Sequence, residues 1–119
     1  MKYLIMIQMN PSARAMWEGM TDDQRAEGYQ IHKEMVSRLE ASGELVISEA
    51  LGDISLNKRL NVQDGVVTTT DGPFAEVKEY LAGFYLVDCE NIDRAIEHAA
   101  RLPEAELGLV EVRPVMELP

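Results

Sequence analysis

Two short segments, residues 3–7 and 81–87, are apolar at every position and therefore on both faces of an extended chain. In the first of them, Leu4 and Met6 alternate with Tyr3, Ile5 and Ile7. A strand that carries apolar side chains on both faces is typical of a central strand covered from two sides. These segments predict two central strands of one sheet, and they require a cover for each face of it.

The remaining elements follow from helix and turn signals along the chain. Thr21 and Gln24 have the spacing of a capping box, and Gly43 ends the helix that starts there. A second helix is predicted between Asn91 and Pro103, with Ile92, Ala95, Ile96, Ala99 and Leu102 on its buried face. Residues 13–20 are expected to form an irregular connection, in which Met16, Trp17 and Met20 either close the core or form the wall of a pocket.

The predicted order is β-α-β-β-β-β-α-β, which is a split β-α-β core with an added hairpin that turns at Gln63-Asp64-Gly65. The fold class is therefore α+β, in a single domain of 119 residues. Two helices can cover only one face of one sheet. An identical subunit is the simplest cover for the second face, and the sequence predicts a homodimer.

The charge of the chain excludes several classes of partner. Eleven Lys and Arg stand against 21 Asp and Glu, which gives a net charge of −10 and disfavours nucleic acid and anionic lipid. The apolar run near the N-terminus is too short to span a bilayer. Cys89 is the single cysteine, which fits a reducing cytoplasm, and its place after an apolar run predicts a buried, inert thiol.

The stretch from Asp71 to Glu79 forms a corner just before the second central strand. Gly72 and Pro73 favour a tight turn, and Asp71 can accept hydrogen bonds from turn amides. Phe74, Glu76, Lys78 and Glu79 follow within this stretch. The cluster is either a solvated corner or the rim of a binding site.

Three stretches carry a resemblance to a known family. They are residues 67–79, which contain Asp71-Gly72-Pro73-Phe74, then Gly83-Phe84-Tyr85, and residues 111–116. The sequence resembles the DGPF-type proteins of the YCII-related family over nearly its whole length. The resemblance implies a ferredoxin-like α+β domain that pairs into a dimeric α+β barrel. Most members of the family have no proven activity; some are associated with extracytoplasmic-function sigma factors, and a few resemble small-molecule lyases.

An acid-base pair is the chemistry that the remaining residues suggest. Two distant histidines and one cysteine do not have the spacing of a zinc site, and no cofactor is predicted. His32 falls on the buried arc of the first helix, whereas His98 is expected on a polar, solvated helix face. His32 with Asp71 is the best available pair, because a carboxylate can hold an imidazole for proton abstraction. In YCII-like relatives a helical histidine precedes a glycine by eleven residues, as His32 precedes Gly43. His32 is therefore either a structural histidine of the core or a functional one.

Two classes of function stay open. One is a cofactor-independent enzyme or a binder of a small polar molecule, with His32 and Asp71 as the reactive pair. Its pocket would be lined by Trp17, Gly72, Pro73, Phe74, Glu76, Lys78 and Glu79. The other is a non-catalytic dimeric module that serves a transcription regulator such as a sigma factor. An apolar pocket beside His32 would favour the first class, and a solid core with an exposed apolar patch would favour the second.

Overall fold

The computed structural model describes residues 1–72, 74 and 78–119 and confirms the α+β class. Its helices are α1 (Pro11–Glu18), α2 (Asp22–Ser42) and α3 (Ile92–Ala99). Its strands are β1 (Lys2–Met9), β2 (Leu45–Ala50), β3 (Lys58–Gln63), β4 (Val66–Asp71), β5 (Tyr80–Asp88) and β6 (Val110–Pro114). Short 3-10 turns lie at Ile54–Leu56 and Pro103–Leu107. No helix among the described residues combines the length and apolar composition needed to cross a bilayer.

Four strands form an open antiparallel sheet in the order β2-β5-β1-β6. The two segments predicted to be central, β1 and β5, do lie in the middle of it. Ile5 of β1 stands opposite Tyr85 of β5 on one side and opposite Val112 of β6 on the other. This register places these three side chains on the same face of the sheet.

The helices pack on that face and bury it. Ile5, Met35 and Leu39 are at most 1% exposed. The opposite face presents side chains that alternate with the buried ones, and these are only partly covered. They are Leu4, Met6, Phe84 and Leu86, which are half-buried, and Ile47, which is exposed. The second apolar face predicted from the sequence is therefore present, and the described residues of the chain leave it open.

The prediction of an irregular connection over residues 13–20 is wrong, because α1 runs through most of it. Asn10 caps this helix, since its side chain accepts a hydrogen bond from the Ala13 amide at 2.8 Å. Pro11 occupies the first helical position, where its missing N–H costs nothing. Asn10-Pro11 thus follows the last residue of β1 and starts a helix at the same point.

Strands β3 and β4 form a hairpin, which we call the arm, whose strand residues are all exposed. Its turn at Asp64 and Gly65 has φ values of 50° and 76°, as a two-residue hairpin turn requires. At its base the Gly72 amide donates to the Asn57 carbonyl at 2.7 Å. The predicted hairpin is thus confirmed, and it packs little against the four-stranded sheet.

His98 is not solvated, contrary to the prediction from the polar face of α3. Its side chain is 2% exposed, and its Nε2 lies 3.0 Å from an Oε1 of Glu44, just before β2. Arg94 donates to both oxygens of the same carboxylate, at 2.9 and 3.1 Å. A partner 54 residues away satisfies the imidazole, so helical periodicity alone could not reveal its burial.

We predict that Glu44→Gln destabilises the fold in a pH-dependent way. The hydrogen bonds from Arg94 lower the pKa of Glu44 from 4.5 to about 2. A depressed carboxyl pKa stabilises the folded state above the unfolded pKa, and this contribution is lost as the pH falls from 4.5 towards 2. The variant should lose about 2 to 3 kcal/mol of unfolding free energy at neutral pH in urea titrations.

The difference between Glu44→Gln and the wild type should shrink progressively below the unfolded pKa of Glu44. Glu97→Gln is the matched control, because Glu97 contacts the same Arg94 at 3.0 Å but its side chain is 60% exposed. The control should cost no more than about 1 kcal/mol. Equal losses in the two variants would contradict the structural role assigned to Glu44.

Candidate functional site

A cavity of about 940 Å³ opens between α1, α2 and one end of the sheet. Its walls are mostly apolar, with Met9, Met16, Trp17 and Leu109 among the lining side chains. His32, Tyr85 and Glu104 line the same cavity and come from α2, β5 and the turn at Pro103–Leu107. An apolar pocket with a few polar groups brought together is the usual form of a small-molecule site.

The three polar side chains form a continuous chain of hydrogen bonds. His32 Nδ1 lies 2.7 Å from the Tyr85 hydroxyl, and His32 Nε2 lies 2.7 Å from Oε1 of Glu104. The side chains of His32 and Glu104 are 25% and 21% exposed, so both are shielded but reachable. The rings of His32 and Tyr85 are nearly parallel, with an interplanar angle of 6°. We call Glu104, His32 and Tyr85 the triad.

The triad can hold His32 in either protonation state. When the imidazole is neutral, Nε2–H donates to Glu104 and Nδ1 accepts from the Tyr85 hydroxyl. When it is an imidazolium, both nitrogens donate, and the Tyr85 hydroxyl can turn to the His32 carbonyl oxygen, 3.4 Å away. No partner has to be lost in the change. The arrangement therefore allows a proton to enter and leave the imidazole.

Tyr85 keeps its proton at neutral pH. Burial, and then the negative charge of Glu104, raise the pKa of Tyr85 to about 12. Both effects disfavour the phenolate, since a buried anion loses hydration and a nearby carboxylate repels it. The Tyr85 hydroxyl is thus available as a hydrogen-bond donor to His32.

Trp17 forms one wall of the cavity, as one of the two interpretations of residues 13–20 had it. Its ring meets Tyr29 edge to face, with centroids 5.2 Å apart. Gly28 makes room for the indole, because a Cβ at that position would lie 3.3 Å from Trp17 Cζ3. The Arg25 guanidinium also donates to the Trp17 carbonyl at 3.2 Å, which ties α1 to α2.

Asp71 is not the carboxylate that holds His32. Both ring nitrogens of His32 have other partners, and the carboxylate on Nε2 is Glu104. Asp71 ends β4, where its exposed side chain accepts a hydrogen bond from Lys58 Nζ at 2.7 Å. The two residues that the sequence suggested as a pair thus have different partners.

The other residues predicted at the Asp71 corner are not among the described lining residues of the cavity. Gly72 lies at the base of the arm, and the ring of Phe74 has the Arg59 guanidinium carbon 3.8 Å from its centroid. Lys78 and Glu79 are exposed. Pro73 and Glu76 lie outside the described residues. Of the predicted site residues that the structure describes, His32 and Trp17 are the two brought together at the cavity.

Sequence reasoning missed Glu104 and Tyr85. Tyr85 had a detectable signal, because alternation along β5 places it on the face of Val87, which is buried. Glu104 had none, since it lies in a 3-10 turn without periodicity and 72 residues from its partner.

Glu44, Cys89 and His98 are the group of described residues whose ligand atoms, all within 4.8 Å of one another, could hold a metal ion. Arg94 already donates to both oxygens of Glu44. Burial, together with the Glu44 carboxylate, raises the pKa of Cys89 to about 11, so the thiol stays protonated. The Arg94 guanidinium already neutralises the Glu44 carboxylate, and the Cys89 thiol keeps its proton. These features favour a structural role for the cluster.

Comparison with known proteins identifies a family and a relative to which the chain is similar. The model of the YCII-related domain matches residues 1–119. An uncharacterised protein of Rhizobium meliloti (strain 1021) is 49% identical over 53 residues. That match covers 43% of this chain and 43% of the relative, so the chain spans less than half of the relative's length.

We predict that Gly28→Val displaces Trp17 from the cavity wall. The added side chain would enter the space of the indole, whose nearest atom already lies 3.3 Å from the position of a Cβ. Overpacking of this kind should cost about 1 to 3 kcal/mol. The fluorescence of Trp17, the single tryptophan, should shift to longer wavelength as the ring becomes more hydrated.

Gly19→Ala is the control for this substitution. A Cβ at Gly19 would meet its nearest atom, a helix carbonyl oxygen, at an ordinary contact distance of 3.5 Å. The Trp17 emission of Gly19→Ala should match that of the wild type. An unchanged emission in Gly28→Val would show that the indole is not held where the structure places it.

Proposed function

The chain belongs to the YCII-related domain family, and on this premise we propose that it binds a small molecule and acts on it by cofactor-independent acid-base chemistry. The cavity beside the triad would be the site. The observation that carries the proposal is that His32 keeps partners on both nitrogens, Tyr85 and Glu104, in either protonation state. A purely structural histidine needs partners for one state only.

The proposed step is a proton transfer without an external cofactor. A proton leaves the ligand for the Tyr85 oxygen as the hydroxyl proton of Tyr85 passes to His32 Nδ1. The imidazolium that results is stabilised by the Glu104 carboxylate at 2.7 Å. Return of the proton to another atom of the ligand restores the triad, so charge and protons balance. Positioned acid-base groups of this kind contribute about 10²- to 10⁴-fold in rate.

A second candidate function is a non-catalytic module that contacts a regulator such as a sigma factor. The arm favours it, because Leu60, Val62, Val66 and Val67 expose at least 59% of their surface. An isolated two-stranded hairpin is marginally stable in water, so a partner surface would stabilise it. The cavity and its polar triad have no place in this candidate function, and we therefore rank it second.

We also propose that the protein is a ferredoxin-like homodimer in which two sheets pack through their open faces. Support comes from Leu4, Met6, Phe84 and Leu86, which are half-buried on a face that the described helices do not cover. Packing two such faces would complete the dimeric α+β barrel implied by the family resemblance. We further propose that residues 1–119 form one domain and that the protein is cytoplasmic. The free, buried Cys89 supports the cytoplasmic location, because a reducing compartment keeps thiols free.

We predict that the protein accelerates hydrogen exchange in a small enolisable compound. Cyclic ketones and 1,3-dicarbonyl compounds would be incubated with it in D₂O, and deuterium incorporation would be followed by NMR. His32→Asn should lower the rate about 100-fold or more, and Tyr85→Phe and Glu104→Gln should also lower it.

Glu34→Gln, an exposed change on α2 outside the cavity, is the control and should keep the rate. Native mass spectrometry of the purified protein would widen the search to ligands that it retains. If no compound exchanges hydrogen faster than in buffer and no ligand is retained, the result would contradict the proposed acid-base function and favour the non-catalytic module.

We predict that the wild type sediments as a dimer at micromolar concentration, and that Leu86→Asp dissociates it. The substitution places a charge on the open face of the sheet, where burial against a second copy would require its desolvation. Leu118→Asp is the control, because Leu118 is 81% exposed near the C-terminus. A monomeric wild type would contradict the proposed interface.

A further inference from the structure

The charged side chains that line the cavity are mainly acidic. Among the described residues, Glu27, Glu104 and Glu106 line it, and Lys33 is the basic side chain beside them. Glu49 also borders the cavity, but alternation along β2 places its side chain on the open face of the sheet. Glu27 and Glu106 are exposed at the edge of the cavity, whereas Glu104 is largely shielded. A cleft lined by one sign of charge, with low-dielectric walls, concentrates ions of the opposite sign.

The charge of Glu104 is compensated less completely than that of Glu44. Glu44 receives Arg94 on both of its oxygens, and its site is closed. Glu104 has His32 on Oε1, while its buried Oε2 has no hydrogen-bond partner among the described residues. With His32 neutral, this carboxylate leaves a negative charge beside the cavity, and burying a charge without a counter-ion is costly.

The aromatic and methionine side chains in the walls of the cavity are suited to contact an organic cation with a hydrocarbon part. Trp17, Tyr29 and Tyr85 line the cavity together with Met16 and Met20. Aromatic faces attract ammonium groups, and the attraction grows when the cation is desolvated. The whole chain adds a net charge of −10, which favours the approach of cations and opposes that of anions.

We infer that the ligand of this cavity is a monocationic amine with an apolar body, and that the cavity rejects carboxylates. The inference rests on the proposed function for the existence of a ligand site, and it adds the chemical class of the ligand. The ammonium group would lie on the Glu104 side of the cavity, and the hydrocarbon part would lie against Trp17 and the methionines.

Three probes with one skeleton test the inference. 2-Phenylethylammonium, 2-phenylethanol and 3-phenylpropionate carry a positive, a neutral and a negative group on the same phenylethyl body. Their dissociation constants would be measured by calorimetry at neutral pH and low salt, with Trp17 fluorescence as a second readout. The cation should bind at least about tenfold more tightly than the anion, and added salt should reduce this preference.

A pair of double variants separates the local field from the net charge. Glu27→Gln with Glu106→Gln removes two carboxylates from the edge of the cavity. Glu40→Gln with Glu117→Gln removes two exposed carboxylates from residues outside the lining. Both change the net charge equally, but the first should lower the preference for the cation severalfold more than the second.

The outcomes distinguish this inference from the function on which it rests. If none of the three probes binds, the proposed ligand site itself fails. If the probes bind and the anion binds as tightly as the cation or more tightly, the site stands and the inference about the ligand is overturned. Equal effects of the two double variants would also overturn it, because the selectivity would then come from net charge alone.

Discussion

The register of β1 against β5 is the constraint on which the core and the cavity both depend. Ile5 faces Tyr85 across the two central strands, and both are turned towards the helices. A slip of one residue would exchange the two faces of a strand, because side chains alternate strictly. Tyr85 would then point away from α2, and His32 would lose the hydroxyl that lies 2.7 Å from Nδ1. One choice of register thus fixes the packing and the polar geometry together.

The two histidines show how similar partners can produce different sites. Each lies on a helix and contacts a glutamate more than 50 residues away. At His98 the glutamate is also bound by Arg94, and the side chain of His98 is 2% exposed. The carboxylate charge is therefore neutralised, and a ligand cannot reach the imidazole. At His32 no described arginine holds Glu104, a tyrosine occupies the other nitrogen, and the side chain is 25% exposed beside a cavity. This difference is the reason for placing the chemistry at His32 and the structural role at His98.

Local signals predicted the elements well because their causes lie within a few residues. The capping box of Thr21 and Gln24 forms both of its hydrogen bonds, and Gly43 takes the positive φ of 77° that ends α2. The burial of His98 and the identity of the carboxylate that contacts His32 could not be predicted in the same way. Each depends on which distant segment the tertiary fold brings to a helix. The residues next to either histidine in the sequence do not indicate that segment. Helix α1 was missed for a different reason, because an Asn-Pro pair is compatible both with the end of a strand and with the start of a helix.

The described residues of the Asp71 corner, which the sequence suggested as the rim of a binding site, serve the chain's own architecture. A Cβ on Gly72 would lie 3.0 Å from the Ile54 carbonyl oxygen and 3.1 Å from that of Asn57, so any larger residue would force the backbone apart. Gly72 is therefore required by close approach at the base of the arm, without any ligand. Lys58 and Asp71 pair across the same base. A sequence signature can thus mark where a chain must pack tightly, while the residues suited to proton transfer lie on other elements and carry no contiguous motif.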